Sequence, residues 1–256
     1  MRAERTRSLQ HAAELAADAA ADGEVVVTLG GDGLVGRVAG VVADCDGLLG
    51  VLPGGRGNDF ARTLGIPKDA PQACRVIATG TERRLDLGEV DGSPFIGIAS
   101  CGFDSDANRI ANEAPAFFGN LVYAYGALRA LLAWKPAHFE LRLDGDEHSF
   151  SGWSVAAANS KAYGGGMFLA PDAELDDGAL DVVISHRSSK RRFLRSLPKT
   201  FKGTHVLEPE VDVRRASEVH IAADRPFAVY ADGDPIADLP ATVRIRPGAV
   251  RVLAPS

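Results

Sequence analysis

Residues 30–36 read Gly-Gly-Asp-Gly-Leu-Val-Gly, and they are the most informative part of the sequence for the fold class. The β-branched run before it, residues 24–29, predicts a buried strand, and the Ala/Val-rich residues 34–43 predict a helix. Glycines at such a junction let the backbone turn sharply and approach a ligand, and the following helix offers unpaired N–H groups to a phosphate. Asp32 adds a carboxylate for a phosphate-bound Mg²⁺. The alternative is an ordinary strand-turn-helix joint with Asp-Gly chemistry.

A second glycine cluster repeats this plan. The short apolar run at residues 48–52 is followed by Pro-Gly-Gly-Arg-Gly-Asn-Asp-Phe-Ala-Arg at residues 53–62. Two such turns, about one βαβ unit apart, should lie together at the carboxyl ends of parallel strands, where open α/β sheets bind ligands. The first region is therefore predicted to be an α/β domain with a parallel sheet.

The two motifs, GGDGLVGRV and GRGNDFAR, resemble the patterns GGDGTxNEV and GTGNDFAR of the diacylglycerol kinase catalytic-domain family, which includes sphingosine and ceramide kinases. NAD kinases share the first motif, whereas the second is much more specific to the lipid kinases. The resemblance implies that ATP and Mg²⁺ are the cofactors, with Asp32, Asp59 and Asp86 organising Mg²⁺ and water. The implied nucleotide-site residues are Thr6, Gly30, Gly31, Asp32, Gly33, Leu34, Val35, Gly36, Arg56, Gly57, Asn58, Asp59 and Asp86.

The pattern changes near residue 83, where alternation of period two begins. Asp-Gly pairs at 91–92 and 144–145 predict hairpin turns, and many short strands follow, with one long helix at 117–134 between them. We therefore expect a β-sandwich-like second domain at residues 86–245. The α/β domain, of the NAD kinase/diacylglycerol kinase type, should comprise residues 1–85 and about 246–256, with the last strand returning to the first domain.

The resemblance also implies a metal site in the second region. In bacterial members of the family an Asp-Gly turn holds Mg²⁺ through one carboxylate and two backbone carbonyls, and the matching positions are Asp177, with Glu174 and Ala179 as carbonyl donors. The residues themselves show a local cluster of carboxylates at 172–181. Such a cluster binds a hard cation or forms a solvated acidic turn.

The segment Asp232-Gly233-Asp234 resembles the DGE motif in which the family's proposed catalytic base lies. Phosphoryl transfer to an alcohol needs a carboxylate beside the acceptor hydroxyl. Asp232 and Asp234 flank one glycine, so an extended chain would point both side chains to the same face. Asp234 matches the final acid of the motif, with Asp232 as the second candidate. Taken alone, Asp-Gly-Asp-Pro is an ordinary turn.

The chain departs from the family pattern at several places, among them Leu34 and Gly36, which replace the Thr and Asn of the first motif. Only five residues precede Thr6, so the family's first strand and its Asn-Pro-x-Ser-Gly phosphate loop are expected to be missing. Arg37 reverses a charge in the first motif and either removes a carboxylate partner or contacts phosphate. Arg56 replaces a Thr and offers a guanidinium to phosphate. Asp234 is one methylene shorter than the family's Glu.

Composition limits the partners. A formal net charge of −6 argues against nucleic-acid binding, and no apolar stretch reaches the roughly 18 residues of a membrane span. Three scattered cysteines are expected to be buried thiols in a reducing compartment. The predicted location is therefore cytoplasmic, with peripheral contact at the inner face of the membrane left open. The basic and apolar residues at 188–202 fit either an anionic bilayer surface or a solvated surface helix.

Together these features predict an ATP-dependent kinase that phosphorylates the hydroxyl of diacylglycerol or a similar lipid at a membrane surface. Two alternatives remain. One is an NAD-kinase-like enzyme for a soluble alcohol, and the other is an inactive lipid-binding or regulatory homologue. A monomer and a homodimer are both compatible with the sequence.

Overall fold

The computed structural model describes residues 2–113, 131 and 134–256. The first region alternates strands and helices, as its glycine turns predict. Its elements are α1 (Leu9–Ala21), β1 (Val25–Gly30), α2 (Asp32–Asp44), β2 (Leu48–Pro53), α3 (Asp59–Thr63) and α4 (Ala70–Thr79). Strands β1 and β2 are parallel, with Gly30 opposite Pro53, so both glycine turns begin at the same edge of the sheet.

The second region is dominated by antiparallel strands. Its elements are β3 (Thr81–Val90), β4 (Ser93–Phe95), β5 (Ile98–Gly102), α5 (Phe103–Glu113), β6 (Ala137–Leu143), β7 (Asp146–Ala158), β8 (Leu180–His186), α6 (Lys190–Thr200), β9 (Val211–Ala216), β10 (Glu218–Ala223), β11 (Ala228–Ala231), β12 (Asp234–Asp238) and β13 (Ala241–Ala254). A 3₁₀ turn, Thr204–Leu207, follows α6. The central path of hydrogen-bonded strands runs β1-β2-β13-β10-β6-β7-β5-β11-β12.

The long strand β13 joins the two regions. Its first half pairs antiparallel with β10, and its last residues pair parallel with β2, where Arg251 lies opposite Leu48. It also pairs with β3, and the register of that pair shifts between Arg246 and Val250. The chain thus returns to the first sheet at its end, and the glycine turns and the second region are held in one hydrogen-bonded framework.

Three buried clusters of the described residues support these strands, and the two larger ones lie one in each region. In the first region, α1, α2 and α4 pack on the parallel strands. The aliphatic side chains buried between them include Val38 of α2, Leu49 of β2 and Val252 of β13. In the second region the cluster is aromatic, and the ring of Trp153 stacks on Trp134 with 6.1 Å between centroids and on Phe193 at 4.0 Å.

Most local predictions are confirmed. Both Asp-Gly hairpin turns have positive φ at their two central residues, the pattern of a type I′ turn. Most of the helix predicted at 117–134 lies outside the described residues, which include only positions 131 and 134 of that range. Helix α5 was not foreseen. The expectation of three buried thiols was wrong, because Cys45 and Cys74 are exposed. No helix among the described residues is long and apolar enough to cross a membrane.

Candidate active site

The two glycine turns touch each other through their backbones. The N–H of Gly54 donates to the carbonyl of Gly30 at 2.9 Å, and a Cβ on Gly55 would collide with the backbone of Gly31. Neither turn contains a glycine with positive φ. Gly54 and Gly55 are therefore required by close backbone approach and not by a left-handed conformation.

Asp32 connects the first turn to the second. Its carboxylate accepts hydrogen bonds from the backbone N–H groups of Asp59 at 3.1 Å and Phe60 at 3.0 Å, which begin helix α3. It therefore acts as the N-terminal cap of a helix that lies 27 residues further along the chain. The contact fixes α3 against the first residues of α2 and makes Asp32 a structural residue as well as a site residue.

Asn58 and Asp59 organise the second turn in different ways. Asn58 has a left-handed φ of 53°, and its amide both accepts from and donates to the backbone of Gly55 at 2.7 and 2.8 Å. Asp59 pairs with the guanidinium of Arg62 and accepts from the N–H of Gly165 at 2.7 Å. Burial raises the pKa of Asp59. Asn58 thus closes the turn, and Asp59 ties it to the Tyr-Gly-Gly-Gly-Met loop of the second region.

The Asp-Gly-Asp segment lies directly on the first glycine turn. Asp232, at a left-handed φ of 52°, accepts from the N–H groups of Ile96 at 2.8 Å and Gly97 at 2.9 Å. Its carboxylate fills the space where Gly36 lacks a side chain. Burial raises its pKa to about 7, despite those two hydrogen bonds, with a smaller contribution from the nearby charge of Asp32. Asp232 therefore anchors the segment.

Asp234 is the more accessible acid of the pair. Its carboxylate lies over Gly33 in the first turn of α2, so that a Cβ at that glycine would overlap Oδ2. Its side chain forms no hydrogen bond within the described residues. Partial burial raises its pKa. The structure thus brings one accessible carboxylate to the N-terminal end of α2.

Other predicted site residues lie in different surroundings. Val35 is buried and Leu34 packs against the same core. Thr6 and Arg56 are exposed, and α1 is capped by Ser8. The guanidinium of Arg37 contacts Gln10 of α1 at 3.3 Å. Gly57 leaves room for the carboxylates of Asp32 and Asp59, which an added Cβ would meet at 3.1 and 2.9 Å.

Asp86 has a structural position. Its two carboxylate oxygens accept backbone N–H groups from Gly178 and Gly248, each at 2.7 Å. It therefore joins the acidic turn to the irregular part of β13. These contacts do not favour the predicted role in Mg²⁺ binding at the nucleotide, which stays a prediction.

The acidic turn is held by cation and backbone contacts. Asp177 pairs with Arg215 and accepts from the N–H of Ala179 at 3.1 Å, and Asp176 pairs with Arg83 at 2.7 Å. Among the described residues, no three His, Cys, Asp or Glu side chains are grouped as metal ligands. At the predicted Mg²⁺ site the only side-chain ligand among the three named residues would be Asp177, which already pairs with Arg215. The Mg²⁺ site at Asp177, Glu174 and Ala179 stays a prediction.

A largely apolar cavity opens in the second region between β7, β8, α6 and the 3₁₀ turn. Its apolar lining includes Ala156, Met167, Leu169, Val183, Phe193 and Leu197. His205, which is only 4% exposed, and Asp104 add polar atoms. Both ring nitrogens of His205 and Oδ2 of Asp104 lack a well-directed hydrogen bond in the described part of the chain. Burial raises the pKa of Asp104 to about 6 and lowers that of His205.

The cavity and the glycine turns share one loop. Tyr163 and Met167 line the cavity, while Gly165 between them donates to Asp59. Asp104 and His205 are not among the site residues predicted from the sequence. No local pattern marks either residue, because they meet in the cavity from helix α5 and from the 3₁₀ turn.

Comparisons with known proteins agree with this architecture. Residues 1–90 match the family model of the diacylglycerol kinase catalytic domain, and residues 97–254 match that of the YegS C-terminal NAD kinase beta sandwich-like domain.

Curated relatives match most of the chain. A diacylglycerol kinase from Mycobacterium tuberculosis is 37% identical over 94% of this chain and 80% of its own length. A probable lipid kinase YegS-like protein from Chromohalobacter salexigens is 30% identical over 90% and 76%.

A solved structure shows the same fold. The crystal structure of a diacylglycerol kinase from Bacillus anthracis aligns with a TM-score of 0.74 at 18% identity, over 97% of this chain and 83% of that one. Taken with the family models and the curated relatives, these matches show that the chain belongs to the diacylglycerol kinase family of lipid kinases.

Proposed function

We propose that this protein transfers the γ-phosphoryl group of ATP to a hydroxyl group of diacylglycerol or a similar lipid. The observation that carries the proposal is the position of Asp234, whose carboxylate lies over Gly33 at the first turn of α2. Nucleotide phosphates and an acceptor hydroxyl would both be within reach of this point. Family membership supports a lipid kinase in general, and the position of Asp234 supports the reaction in detail.

The nucleotide phosphates would bind at the edge where the two glycine turns meet. The N-terminus of α2 presents unpaired N–H groups there, and the backbone is accessible because the glycines carry no side chains. Arg56 is exposed on the second turn and offers a cation to the same phosphates.

Mg²⁺ would accompany the nucleotide and neutralise charge on the phosphates. The carboxylates of Asp32 and Asp59 already accept backbone N–H groups, at 3.0–3.1 Å and 2.7 Å. Mg²⁺ usually keeps several water ligands. These two carboxylates therefore fit a hydrated Mg²⁺ ion, contacted through its water ligands, better than an ion bound directly by the protein.

Asp234 would act as the general base. It takes the proton of the acceptor hydroxyl while the new O–P bond forms and the bond to the leaving ADP breaks. Its raised pKa brings it closer to the pH at which a base works best. Asp232 is less suited, because both of its oxygens are held by backbone N–H groups.

The cavity beneath α6 would hold part of one acyl chain of the acceptor. It is lined by aliphatic and aromatic side chains, with a few polar atoms that lack partners. Its volume of about 70 Å³ is below the roughly 300–1,000 Å³ of a drug-sized pocket, so only a short part of the acceptor would fit. The loop that joins the cavity to Asp59 gives it a direct connection to the nucleotide site.

Two variants test the assignment separately. Asp234→Asn should lower phosphoryl transfer to diacylglycerol by at least about 10²-fold, within the range for loss of a general base, while ATP affinity is retained. Leu197→Trp, which fills the cavity, should raise KM for diacylglycerol and leave ATP affinity unchanged.

The matched control is Asp232→Asn. Normal turnover of Asp234→Asn together with an inactive Asp232→Asn would assign the base to Asp232. Phosphorylation of NAD in place of diacylglycerol and sphingoid bases would contradict the lipid assignment.

A further inference from the structure

Helix α6 and the 3₁₀ turn after it form the most basic segment of an acidic chain. Residues 190–207 contain six Lys or Arg residues and no Asp or Glu, whereas the whole chain has a net charge of −6. Two of these cations hold the segment to the protein, because Arg192 pairs with Glu210 at 2.8 Å and Lys199 pairs with Glu208. Three further cations of this segment, Arg191, Arg195 and Lys202, are exposed and form no ion pair with the described part of the chain.

Helix α6 has two distinct faces. Phe193, Leu197 and Thr200, at spacings of four and three residues, line the cavity below. Phe193 also stacks on Trp153, with 4.0 Å between the ring centroids. The inner face is therefore fixed by packing, and the opposite face is directed away from the protein.

The outer face is both basic and apolar. Leu194 is 44% exposed, Phe201 just after the helix is 58% exposed, and Leu207 in the 3₁₀ turn is 81% exposed. Arg191 lies three residues before Leu194 and four before Arg195, so it is the helical neighbour of both on this face. Three of the eight large apolar residues exposed in the described chain thus fall within 14 residues, among cations.

We propose that this outer face, formed by residues 191–207, docks on the surface of an anionic lipid bilayer. Basic side chains are attracted to anionic headgroups, and exposed Leu and Phe side chains insert at the boundary with the acyl chains. A nucleic acid would use the cations but would leave Leu194, Phe201 and Leu207 in water. The proposal rests on the proposed function for its purpose, since the same helix covers the acceptor cavity and would place it against the bilayer.

Vesicle binding by the full chain tests the proposal without any turnover. The wild type should sediment with vesicles of phosphatidylcholine containing about one third phosphatidylglycerol, less with pure phosphatidylcholine, and less at high salt. Arg191→Gln/Arg195→Gln should weaken binding to the anionic vesicles about 25-fold, since each surface cation contributes about fivefold. Phe201→Ser/Leu207→Ser should weaken it by about tenfold or more.

Matched controls lie on the first domain. Lys68→Gln/Arg75→Gln removes two exposed cations, and Leu29→Ser removes an apolar side chain that is 70% exposed. Both controls should bind the vesicles as the wild type does. The proposal is overturned if the wild type does not bind anionic vesicles, or if the controls lose as much binding as the α6 variants.

Activity on a soluble short-chain diacylglycerol separates this inference from the proposed function. The α6 variants should keep that activity, because the altered side chains point away from the cavity. Vesicle binding with the expected variant losses, but without kinase activity, would contradict the proposed function and support the docking surface. Normal activity with vesicle binding unaffected by the α6 variants would contradict the docking surface alone.

Discussion

Replacing Gly33 by alanine should separate catalysis from stability in this protein. Gly33 lies in the first turn of α2 and has no positive φ, so its backbone accepts an L-residue. A Cβ at Gly33 would overlap Oδ2 of Asp234. Its distance to the backbone carbonyl oxygen of Asp232 would be 3.6 Å, which is an ordinary van der Waals contact. The methyl group therefore displaces one flexible carboxylate and little else.

The two effects have opposite signs. Alanine in place of a helical glycine stabilises the fold by up to about 1 kcal/mol, which for a chain of this size raises Tm by about 2–4 °C. The Asp234 carboxylate must move by about 1 Å to restore normal contact distances, and a displacement of that size costs about 10²-fold in rate. We expect Gly33→Ala to be as stable as the wild type or more so, with a kcat lowered about 10²-fold.

A double-mutant cycle with Asp234→Asn identifies the cause. Measured by thermal unfolding and by steady-state phosphorylation of diacylglycerol, the double variant should be no less active than Asp234→Asn alone, because both changes act through one carboxylate. Full activity of Gly33→Ala would refute the placement of the base. Losses that multiply in the double variant would show that Gly33→Ala acts through the glycine turn and not through Asp234.

Three further predictions concern other carboxylates. Asp32→Ala removes the two acceptors that cap α3 and should lower the free energy of unfolding, measured by urea denaturation, by about 2 kcal/mol. The control Asp69→Ala removes a single cap bond at α4, so it should lower the free energy of unfolding by about 1 kcal/mol and leave activity intact. Equal stability of Asp32→Ala and wild type would contradict the capping role. Asp232 has a folded pKa of about 7, above the ordinary 3.8, so its contribution to stability is present at low pH and is lost as the pH rises toward 7. Denaturation from pH 5 to 8 should therefore show the stability of Asp232→Asn increasing relative to wild type, and a pH-independent difference would exclude the raised pKa. If the acidic turn binds Mg²⁺, added Mg²⁺ should raise Tm, and Asp177→Ala should abolish that rise. Arg215→Ala should enlarge the rise, because it removes the cation that competes for Asp177. An unchanged Tm response in Asp177→Ala would exclude the Mg²⁺ site and identify the segment as a solvated turn.

Features that depend on neighbouring residues could be predicted from the sequence. The type I′ hairpin turns need only an Asp-Gly pair between alternating strands, and the capped helices α1 and α4 need only their periodicity. The parallel pairing of β1 and β2 followed from repeated strand-glycine-helix units, which have few other ways to pack. The motif resemblance then named the family, because the second glycine motif is specific.

The burial of single side chains could not be predicted in the same way. Cys45 and Cys74 lie in apolar stretches yet are exposed, since a helix or turn leaves some residues of such a stretch on its outer side. For Arg37 the sequence left open a phosphate contact or the loss of a carboxylate partner. Its guanidinium contacts Gln10 of α1, because the face that it occupies on α2 turns toward that helix.

The partners of the site carboxylates were decided by tertiary structure alone. Asp32 caps a helix 27 residues away, Asp59 is bound by Gly165, and Asp232 is held by Ile96 and Gly97. The sequence determined that these acids stand at turns, because glycine and aspartate set the local backbone. Which backbone N–H groups reach each carboxylate depends on how separate strands and helices pack. That packing holds Asp232 and leaves Asp234 accessible, a distinction that two carboxylates around one glycine do not reveal.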